Sequence, residues 1–441
     1  MSEARLLVAQ GPCQLISALA VWEFLASQPG AEGKRWEDVL VLGGFCAQGT
    51  TAQDLDAVCR QVAQSWGFQR IVSTMEHDAA FENGQLSFDA YREAITRDIG
   101  ISQVAALYVC RNMQFLNEAV LFAWPGARKV CYGDLGMIDL NSTQWCKPTT
   151  RRGYPPVDEI ITHAPVEVTP GIFDDYPLTR IPARYLCNAL SRASSAIAGL
   201  EASCHQLLKD ARARTVVACL SNLTESRTVD SLEKELLLYE SCLESYATKD
   251  TTLLIKGHPR ETQSQSRLLT ERLRSRGCDA RSFTGLSAVP LDLFASALKV
   301  DLVVPLFSHS GVLWRLQQPD TDILMGVPRP LMDRFFAEKV RASSRWDHAT
   351  AITYLLTLMA TQQDFKPVRM KTVGRHSNLV PAPPILLPGR AKQKAGWLEA
   401  DPVAARFYHA VVDSEAQSEA NPLLKWARWM RGRISNGTGA T

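Results

Sequence analysis

Short apolar runs alternate with amphipathic helical segments along most of this 441-residue chain, and this alternation constrains the fold more than any other feature. In the first third it predicts strands over residues 6–9, 39–42, 70–73, 104–109 and 129–132. Helices are predicted between them, near residues 13–27, 54–66, 88–98 and 112–124. Strand–helix alternation at this spacing indicates a parallel sheet with helices on both faces.

A second series of the same kind follows the first. It predicts strands over residues 215–220, 251–255, 281–283, 302–306 and 322–324, and helices over 183–208, 231–245, 262–277, 290–298, 311–318 and 347–362. Residues 150–185, rich in proline and glycine, interrupt the alternation and are predicted to be an interdomain segment. A proline-rich crossing segment is predicted over 381–388, followed by helices near 401–415 and 422–433.

These patterns predict an α/β protein with two doubly wound Rossmann-like domains that face a cleft, the arrangement called GT-B. Residues 1–180 would form the acceptor-side domain and residues 181–375 the nucleotide-sugar-binding domain. Residues 376–441 would add C-terminal helices that pack back on the first domain. A chain of 441 residues is too long for one compact core, so two domains are the default expectation.

Composition and missing motifs argue against several other classes. The net charge of +2 gives no reason to expect a nucleic-acid partner, and the eleven scattered cysteines contain no CxxC pair, which fits a reducing cytosol. No run approaches the roughly 20 apolar residues of a membrane span. Because the chain opens on a strand and not on a signal peptide, we predict a cytoplasmic protein, at most peripheral to the inner membrane. The chain has no GxGxxG after its first strand, no Walker A and no HExxH, and the acidic pair of Asp54 and Asp56 is not placed at a clear strand end. We therefore expect no cofactor and no essential metal.

Two predicted strands of the second series end in polar residues that can bind a phosphate. These residues are Lys256, Gly257, His258 and Pro259 after the strand over 251–255, and Ser308, His309 and Ser310 after the strand over 302–306. Ligands of open α/β sheets bind outside the carboxyl ends of the strands. Cationic and hydroxyl side chains at two neighbouring strand ends therefore predict a phosphate site. Pro259 would hold His258 in an extended conformation that faces the cleft.

An acidic residue flanked by glycines follows the predicted strand over 129–132. Gly133 and Gly136 let the backbone turn tightly and expose the carboxylate of Asp134 to the cleft. We predict that Asp134 is a general base that takes a proton from an attacking hydroxyl. The alternative is a turn residue that caps the next element.

The loop after the first strand of the second series supplies one more candidate. Thr224 lies in this loop, and the corresponding loop of doubly wound folds often contacts a phosphate or sugar. Ordinary alternatives exist for the other candidates as well. N-capping would explain Ser308 and Ser310, a loop cap would explain His258, and a solvated strand-end charge would explain Lys256.

Together, the three motifs resemble those of bacterial sialyltransferases and the polysialyltransferase-like family. The resemblance rests on the order and spacing of the acidic motif, the His-Pro motif and the serine pair over about residues 5–330. In that family the acid is the general base, and the histidine and serines contact the phosphate of CMP-sialic acid. The chain departs from the family pattern where Leu135 stands in place of glycine and where His309 splits the serine pair.

The resemblance implies an inverting, metal-independent transfer of a sialic acid-type sugar from a CMP-activated donor to a glycan hydroxyl. Asp134 would be the base and His258 would stabilise the leaving phosphate, with the acceptor near residues 10–14. A CMP-Kdo transferase and a GT-B enzyme that uses another nucleotide sugar are close alternatives. A non-catalytic sugar-nucleotide-binding protein on the same scaffold is the alternative from another class.

The last predicted helix suggests a contact with anionic lipid. Its basic residues, interleaved with Trp426 and Trp429, are Lys425, Arg428, Arg431 and Arg433. Such a helix suits the interface of a membrane, where capsule or lipopolysaccharide acceptors would be presented. Packing of the tryptophans on the first domain, with the arginines in solvent, is the alternative.

Overall fold

A computed structural model provides the structure of the chain. It describes residues 4–28, 36–45, 49–68, 70–110, 115–132, 157–162, 166–168, 178–225, 227–259, 261, 264–306, 308, 310–325, 327, 329–337, 368–370 and 385–387. The helices predicted over 347–362, 401–415 and 422–433 lie outside these residues. The basic C-terminal surface therefore stays a prediction.

The first half of the chain builds a parallel sheet. Its strands, together with the short strand β7, are β1 (Ala4–Ala9), β2 (Glu37–Leu42), β3 (Arg70–Ser73), β4 (Val104–Cys110), β5 (Arg128–Tyr132), β6 (Glu159–Thr162), β7 (Val166–Val168) and β8 (Leu178–Arg180). The helices between them are α1 (Pro12–Ala26), α2 (Gly49–Ser65), α3 (Met75–Glu82), α4 (Phe88–Ile99) and α5 (Phe115–Ala123). The strand order is β3-β2-β1-β4-β5-β6-β8, and neighbouring strands run parallel.

The second half repeats this design. Helices α6 (Ala183–Ala196) and α7 (Leu200–Leu208) lead into strands β9 (Arg214–Cys219), β10 (Thr251–Lys256), β11 (Asp279–Ser282), β12 (Leu302–Leu306), β13 (Asp322–Met325), β14 (Val368–Met370) and β15 (Ile385–Leu387). The remaining helices are α8 (Leu232–Leu243), α9 (Gln265–Ser275), α10 (Ser310–Gln317) and α11 (Arg329–Phe335). The order is β11-β10-β9-β12-β13-β15, in which only the pairing of β15 is antiparallel, while β14 pairs with β7.

Local sequence explains where these elements lie. The central strand β9 carries the buried run Val216-Val217-Ala218, as expected for a parallel strand covered on both faces. Helix α4 begins after Ser87, whose hydroxyl accepts a hydrogen bond from the Ala90 N–H. It ends at Gly100, which takes the left-handed conformation common at helix C-termini.

Both sheets reverse their strand order at an internal point, between β1 and β4 in the first and between β9 and β12 in the second. Strand order of this kind defines a doubly wound fold. The structure thus confirms the predicted fold class, an α/β protein with two doubly wound Rossmann-like domains. In such folds the crevice at the carboxyl ends of the strands, at the reversal, is where ligands bind.

Two predictions about connecting segments are wrong. Strands β6 and β8, taken as part of an interdomain segment over 150–185, extend the first sheet. Strand β15, within the predicted crossing segment over 381–388, forms the edge of the second sheet. The first segment is rich in proline and glycine and the second is rich in proline, and strands of only three or four residues leave little periodic signal. An edge strand also tolerates nearby prolines, which a central strand does not.

Two helix predictions also need correction. The helix predicted over 183–208 is interrupted after α6, where Ile197 is extended and Gly199 has a φ of 75°, a conformation that favours glycine. The helix predicted over 290–298 is only the 3₁₀ helix Leu291–Phe294, which begins after Pro290. Helices α3 and α11 were not predicted.

Helix α6 joins the two sheets through a shared hydrophobic core. Leu19 of α1, Leu190 of α6 and Leu254 of β10 are all fully buried members of that core. The Ser194 hydroxyl of α6 donates a hydrogen bond of 2.6 Å to the Leu293 carbonyl of the 3₁₀ helix. Packing around α6 therefore fixes how the first sheet sits against the second.

A buried carboxylate fixes the loop after β2. Asp78 accepts hydrogen bonds from the Gly44 N–H (2.7 Å), the Tyr91 hydroxyl (2.6 Å) and the Thr74 hydroxyl (3.0 Å). A Cβ on Gly43 would lie 1.8 Å from Thr74 Oγ1, so this approach requires glycine. Burial raises the pKa of Asp78 to about 6, although these bonds act to lower it.

Candidate functional site

The candidate site lies where the carboxyl edges of the two sheets meet. Lys256 ends β10, Cys219 ends β9, and Ser308 follows β12. The prediction that β10 and β12 are neighbours is wrong, because β9 lies between them and places Cys219 there. From the first domain, the thiol of Cys13 at the start of α1 acts to raise the pKa of Lys256. The start of α1 therefore lies near the end of β10.

Lys256 is buried under this edge. The residue is only 1% exposed, and its Nζ donates hydrogen bonds to the carbonyls of Gly257 (2.9 Å) and Ser287 (2.7 Å). Burial lowers the pKa of Lys256 to about 8, while nearby acidic groups act to raise it. The ammonium thus ties the loop around Ser287 to the end of β10 and supplies positive charge from below the site.

A tight turn after β12 positions the serine pair. Leu306 is fully buried and has a φ of 53°, which is rare for a branched side chain, and the Ser308 N–H bonds the Pro305 carbonyl at 2.8 Å. Backbone strain of this kind persists where the surrounding structure holds it in place. The turn brings the half-buried Ser308 next to Ser310, the first residue of α10.

The serine pair is bonded to a buried carboxylate. Ser308 Oγ donates to Ser310 Oγ at 3.0 Å, the Ser310 N–H donates to Ser308 Oγ at 3.2 Å, and Ser310 Oγ donates to Asp292 Oδ2 at 3.3 Å. Asp292 lies in the 3₁₀ helix and is 4% exposed, and burial raises its pKa to about 6. Its Oδ1 has no hydrogen-bond partner within the described part of the chain.

No sequence motif pointed to Asp292. The residue is not at a strand end, and it carries no motif. The one available signal was an acid between Leu291 and Leu293 in an otherwise apolar run, since a buried acid usually has a specific reason to be there.

His258 and Pro259 lie at the mouth of β10, and both are half-buried. The Glu261 N–H bonds the His258 carbonyl at 2.9 Å, which closes a tight turn after the strand. A Cβ on Gly257 would lie 1.8 Å from the Glu261 carboxylate, so glycine allows this turn to fold back. The turn places the His258 backbone on the same edge as the serine pair, and its phosphate contact stays a prediction.

Thr224 is anchored to helix α8. Its N–H (2.8 Å) and its hydroxyl (2.5 Å) both donate to Glu235, a fully buried carboxylate that also accepts from Tyr239. This geometry gives Thr224 a structural role in holding the loop after β9. The ligand contact predicted for it stays a prediction, and such a contact would have to use a hydroxyl lone pair.

The first sheet contributes a buried carboxamide at the end of β1. Gln10 is 6% exposed, and neither its Nε2 nor its Oε1 has a partner among the residues that the structure describes. Its backbone N–H bonds the Gln14 side chain at 2.8 Å. Gly11 has a φ of 149°, and an added Cβ there would meet nothing within 4 Å. A polar group without a partner beside open space is a place where a ligand can bind.

Asp134 lies outside the described residues, so its role as a base stays a prediction. The described residue that precedes Asp134 most closely in sequence is Tyr132, the last residue of β5. The Tyr132 hydroxyl donates to the Val8 carbonyl of β1 at 2.5 Å and so ties the end of β5 to the strand that precedes Gln10.

Two kinds of feature are absent from the described residues, a metal site and a membrane span. No group of three or more His, Cys, Asp and Glu side chains there could hold a metal ion. No helix in that part of the chain is long and apolar enough to cross a bilayer.

Comparisons with known proteins assign the chain to no family, and the solved structures that resemble it share little sequence with it. No family model matches the chain, and no curated protein matches it. Among solved structures it is similar to UDP-N-acetylglucosamine 2-epimerase from Rickettsia bellii (13% identity, 94% of this chain and 97% of that chain, TM-score 0.44). It is also similar to spinosyn rhamnosyltransferase SpnG complexed with thymidine diphosphate (12% identity, 98% of this chain and 100% of that chain, TM-score 0.41). A third similar structure is the trehalose-6-phosphate phosphatase N-terminal domain from Candida albicans (11% identity, 99% of this chain and 97% of that chain, TM-score 0.40).

The class of the protein follows from its own sheets. It has two doubly wound, Rossmann-like sheets, which is the two-domain α/β arrangement predicted from the sequence.

Proposed function

We propose that the protein is a metal-independent, inverting glycosyltransferase that uses a nucleotide-activated sugar, with a CMP-linked sialic acid-type sugar as the donor. The observation that carries the proposal is that two kinds of polar groups lie at the carboxyl ends of the two sheets. The second sheet offers hydroxyls and a buried cation, which suit a phosphate, and the first offers an unpaired carboxamide, which suits a sugar hydroxyl.

The donor phosphate would lie over the serine pair. The backbone at the start of α10 and the turn after β12 bring Ser308 to the carboxyl edge at the reversal of the second sheet. Lys256 supplies positive charge beneath it. His258, one turn beyond β10, would contact the same phosphate. The choice of CMP rests on the motif resemblance.

The acceptor glycan would bind at the end of β1. A sugar hydroxyl can donate and accept at once, so it can satisfy both the Oε1 and the Nε2 of Gln10. Burial of the carboxamide makes this pairing selective, because leaving a buried polar group without a partner costs about 1–3 kcal/mol.

The transfer step breaks one bond and forms another. The acceptor oxygen attacks the anomeric carbon as the bond from that carbon to the phosphate oxygen breaks, and the nucleotide leaves with both electrons. Asp134 would take the proton of the acceptor hydroxyl. The leaving phosphate gains negative charge, which Lys256 and His258 would stabilise more strongly than they stabilise the bound donor.

A nucleotide panel with turnover tests the proposal. Titration calorimetry with CMP, UDP and TDP should give binding that is tightest for CMP, and CMP-sialic acid should be consumed in the presence of EDTA. Tighter binding of UDP or TDP would favour another nucleotide-sugar transferase. Binding without turnover of any donor would favour the non-catalytic alternative.

Replacement of the predicted base is the sharper test. Asp134→Asn should lower turnover by roughly 10²–10⁴-fold and leave CMP binding intact, because only the ability to accept a proton is lost. Asp89→Asn, at a carboxylate that is 48% exposed on α4, is the matched control and should keep wild-type turnover. Wild-type turnover in Asp134→Asn would show that Asp134 is structural.

A further inference from the structure

Three polar groups form a line from the interior to the mouth of the second sheet. Asp292 is innermost, Ser310 is 3.3 Å from it, and Ser308 is 3.0 Å further along. Asp292 is nearly fully buried, Ser310 is 7% exposed and Ser308 is half-buried, so exposure rises along the line. We call these three residues the relay.

The protons of the relay point inward while Asp292 is ionised. A carboxylate only accepts, so Ser310 donates its proton to Asp292, and Ser308 donates its proton to Ser310. The Ser310 N–H also donates to Ser308 Oγ, and Ser308 hydrogen-bonds the Cys219 thiol as well. In this arrangement Ser308 offers a ligand a lone pair and no proton, and a lone pair repels the oxygens of a phosphate.

Protonation of Asp292 reverses the line without moving a heavy atom. The carboxylic acid can donate to Ser310, Ser310 can donate to Ser308, and the Ser308 proton becomes available at the mouth. A hydroxyl that donates to a phosphate oxygen forms a charge-assisted bond, which is stronger than a neutral one. One buried proton thus decides whether the outermost hydroxyl attracts or repels an anion.

We propose that Asp292 is a positioning residue that controls the phosphate site through the relay, with its protonated form favouring phosphate and its ionised form opposing it. The inference rests on the proposed function, since it takes the phosphate of the donor to lie at Ser308. It goes further by making binding of that phosphate depend on pH.

The surroundings of Asp292 support titration near neutral pH. Lys256 of β10 and Cys219 of β9 are the titratable groups that act on it, and Lys256 lowers its pKa. From α10, Gln317 bonds only the backbone carbonyl of Asp292, and from α6, Ser194 bonds its neighbour Leu293. Burial outweighs these groups and raises the pKa of Asp292 to about 6.

A non-titrating probe isolates this effect. Cytidine 5′-methylphosphate, a phosphodiester, keeps one negative charge throughout the range, unlike CMP, whose own second ionisation falls within it. Calorimetry should show up to about 25-fold tighter binding at about pH 5.5 than at about pH 7.5, because the binding-competent fraction falls as Asp292 ionises. Equal affinity at both pH values would overturn the inference while leaving the proposed function in place.

Two variants assign the pH dependence to the relay. Asp292→Asn keeps a donor for Ser310 at every pH, so its affinity should be the same at both pH values. Ser310→Ala interrupts the line and should also remove the dependence, which keeps the test open if Asp292→Asn folds poorly. If both folded variants keep the wild-type ratio of affinities at the two pH values, the inference is overturned.

Two controls separate other titrating groups. Asp78→Asn alters a buried carboxylate of similar pKa beside the first sheet, so it should keep the wild-type ratio of affinities at the two pH values. His258→Gln tests the histidine, whose protonation would give a dependence of the same sign. Loss of the ratio in His258→Gln but not in Asp292→Asn would assign it to His258 and overturn the inference. Absence of binding at either pH would overturn both the inference and the phosphate site of the proposed function.

Discussion

Asp78 beside the first sheet and Asp292 beside the second are both buried, and burial raises the pKa of each to about 6. Their hydrogen bonds differ. Asp78 accepts from one backbone N–H and two hydroxyls. Asp292 accepts from Ser310 at 3.3 Å and from its own backbone N–H, and its Oδ1 has no partner in the described part of the chain.

The difference shows that a raised pKa does not by itself mark a functional carboxylate. Asp78 is surrounded by fixed donors that hold the loop after β2, so its charge has a structural use. Asp292 keeps hydrogen-bonding capacity that the protein does not use, and it connects through hydroxyls to the sheet edge. Counting the donors around a buried acid therefore separates the two roles better than its pKa does.

The largest expected effect is on stability in the first sheet. Asp78→Ala would leave the Gly44 N–H and the Tyr91 hydroxyl buried without their acceptor, and we expect a loss of about 3 kcal/mol in the free energy of unfolding. Urea unfolding at neutral pH would measure it. Asp38→Ala, at a partly exposed ion pair with Arg5, is the control and should cost less than about 1 kcal/mol. A similar loss in both variants would remove the contrast between Asp78 and Asp292.

A smaller effect, of opposite sign, is expected in the second sheet. The folded-state pKa of Asp292 lies above its ordinary value of 3.8, so its ionisation withdraws stability as pH rises through about 6. Asp292→Ala escapes that loss and should gain about 1–2 kcal/mol on wild type between about pH 5 and pH 7.5. Thermal unfolding at both pH values measures the gain. Destabilisation as large as that of Asp78→Ala would mean that Asp292 is structural too.

The smallest effect concerns the cation beneath the site. Lys256 lowers the pKa of Asp292, so Lys256→Met should move the midpoint of the pH dependence of phosphodiester binding to higher pH. Affinity at each pH should also fall, because a positive charge is lost. Lys299→Met, at an exposed lysine, should leave the midpoint in place. An unmoved midpoint in Lys256→Met would separate Asp292 from the pH dependence.

Much of the fold could be predicted from the sequence because parallel strands buried on both faces read as continuous apolar runs. The bounds of β3 and β12 were predicted to the residue, and those of β10 to within one. The strands of the 150–185 region were missed because their environment is set by the rest of the sheet and not by their own composition. The break between α6 and α7 depends on one residue, Gly199, that a helical pattern can overlook.

The candidate site was predictable only in part. Motifs at strand ends pointed to Lys256 and Ser308, and the structure places both at the carboxyl edge of the second sheet. Asp292 could not be found in this way, because it reaches the serines from a 3₁₀ helix that is adjacent in space but not in a motif. The prediction of Thr224 illustrates the reverse, since its loop position was informative but its partner Glu235 was hidden in a helix.

The core shared around α6 has a consequence for how substrate size is set. Helix α6 packs on α1, which follows Gln10, and on the 3₁₀ helix that carries Asp292. The volumes of its side chains therefore set the distance between the start of α1 and the 3₁₀ helix. A substitution at Leu190, a fully buried core residue, would alter that spacing. The apolar packing of one helix therefore sets the length of molecule that can bridge Gln10 and Ser308.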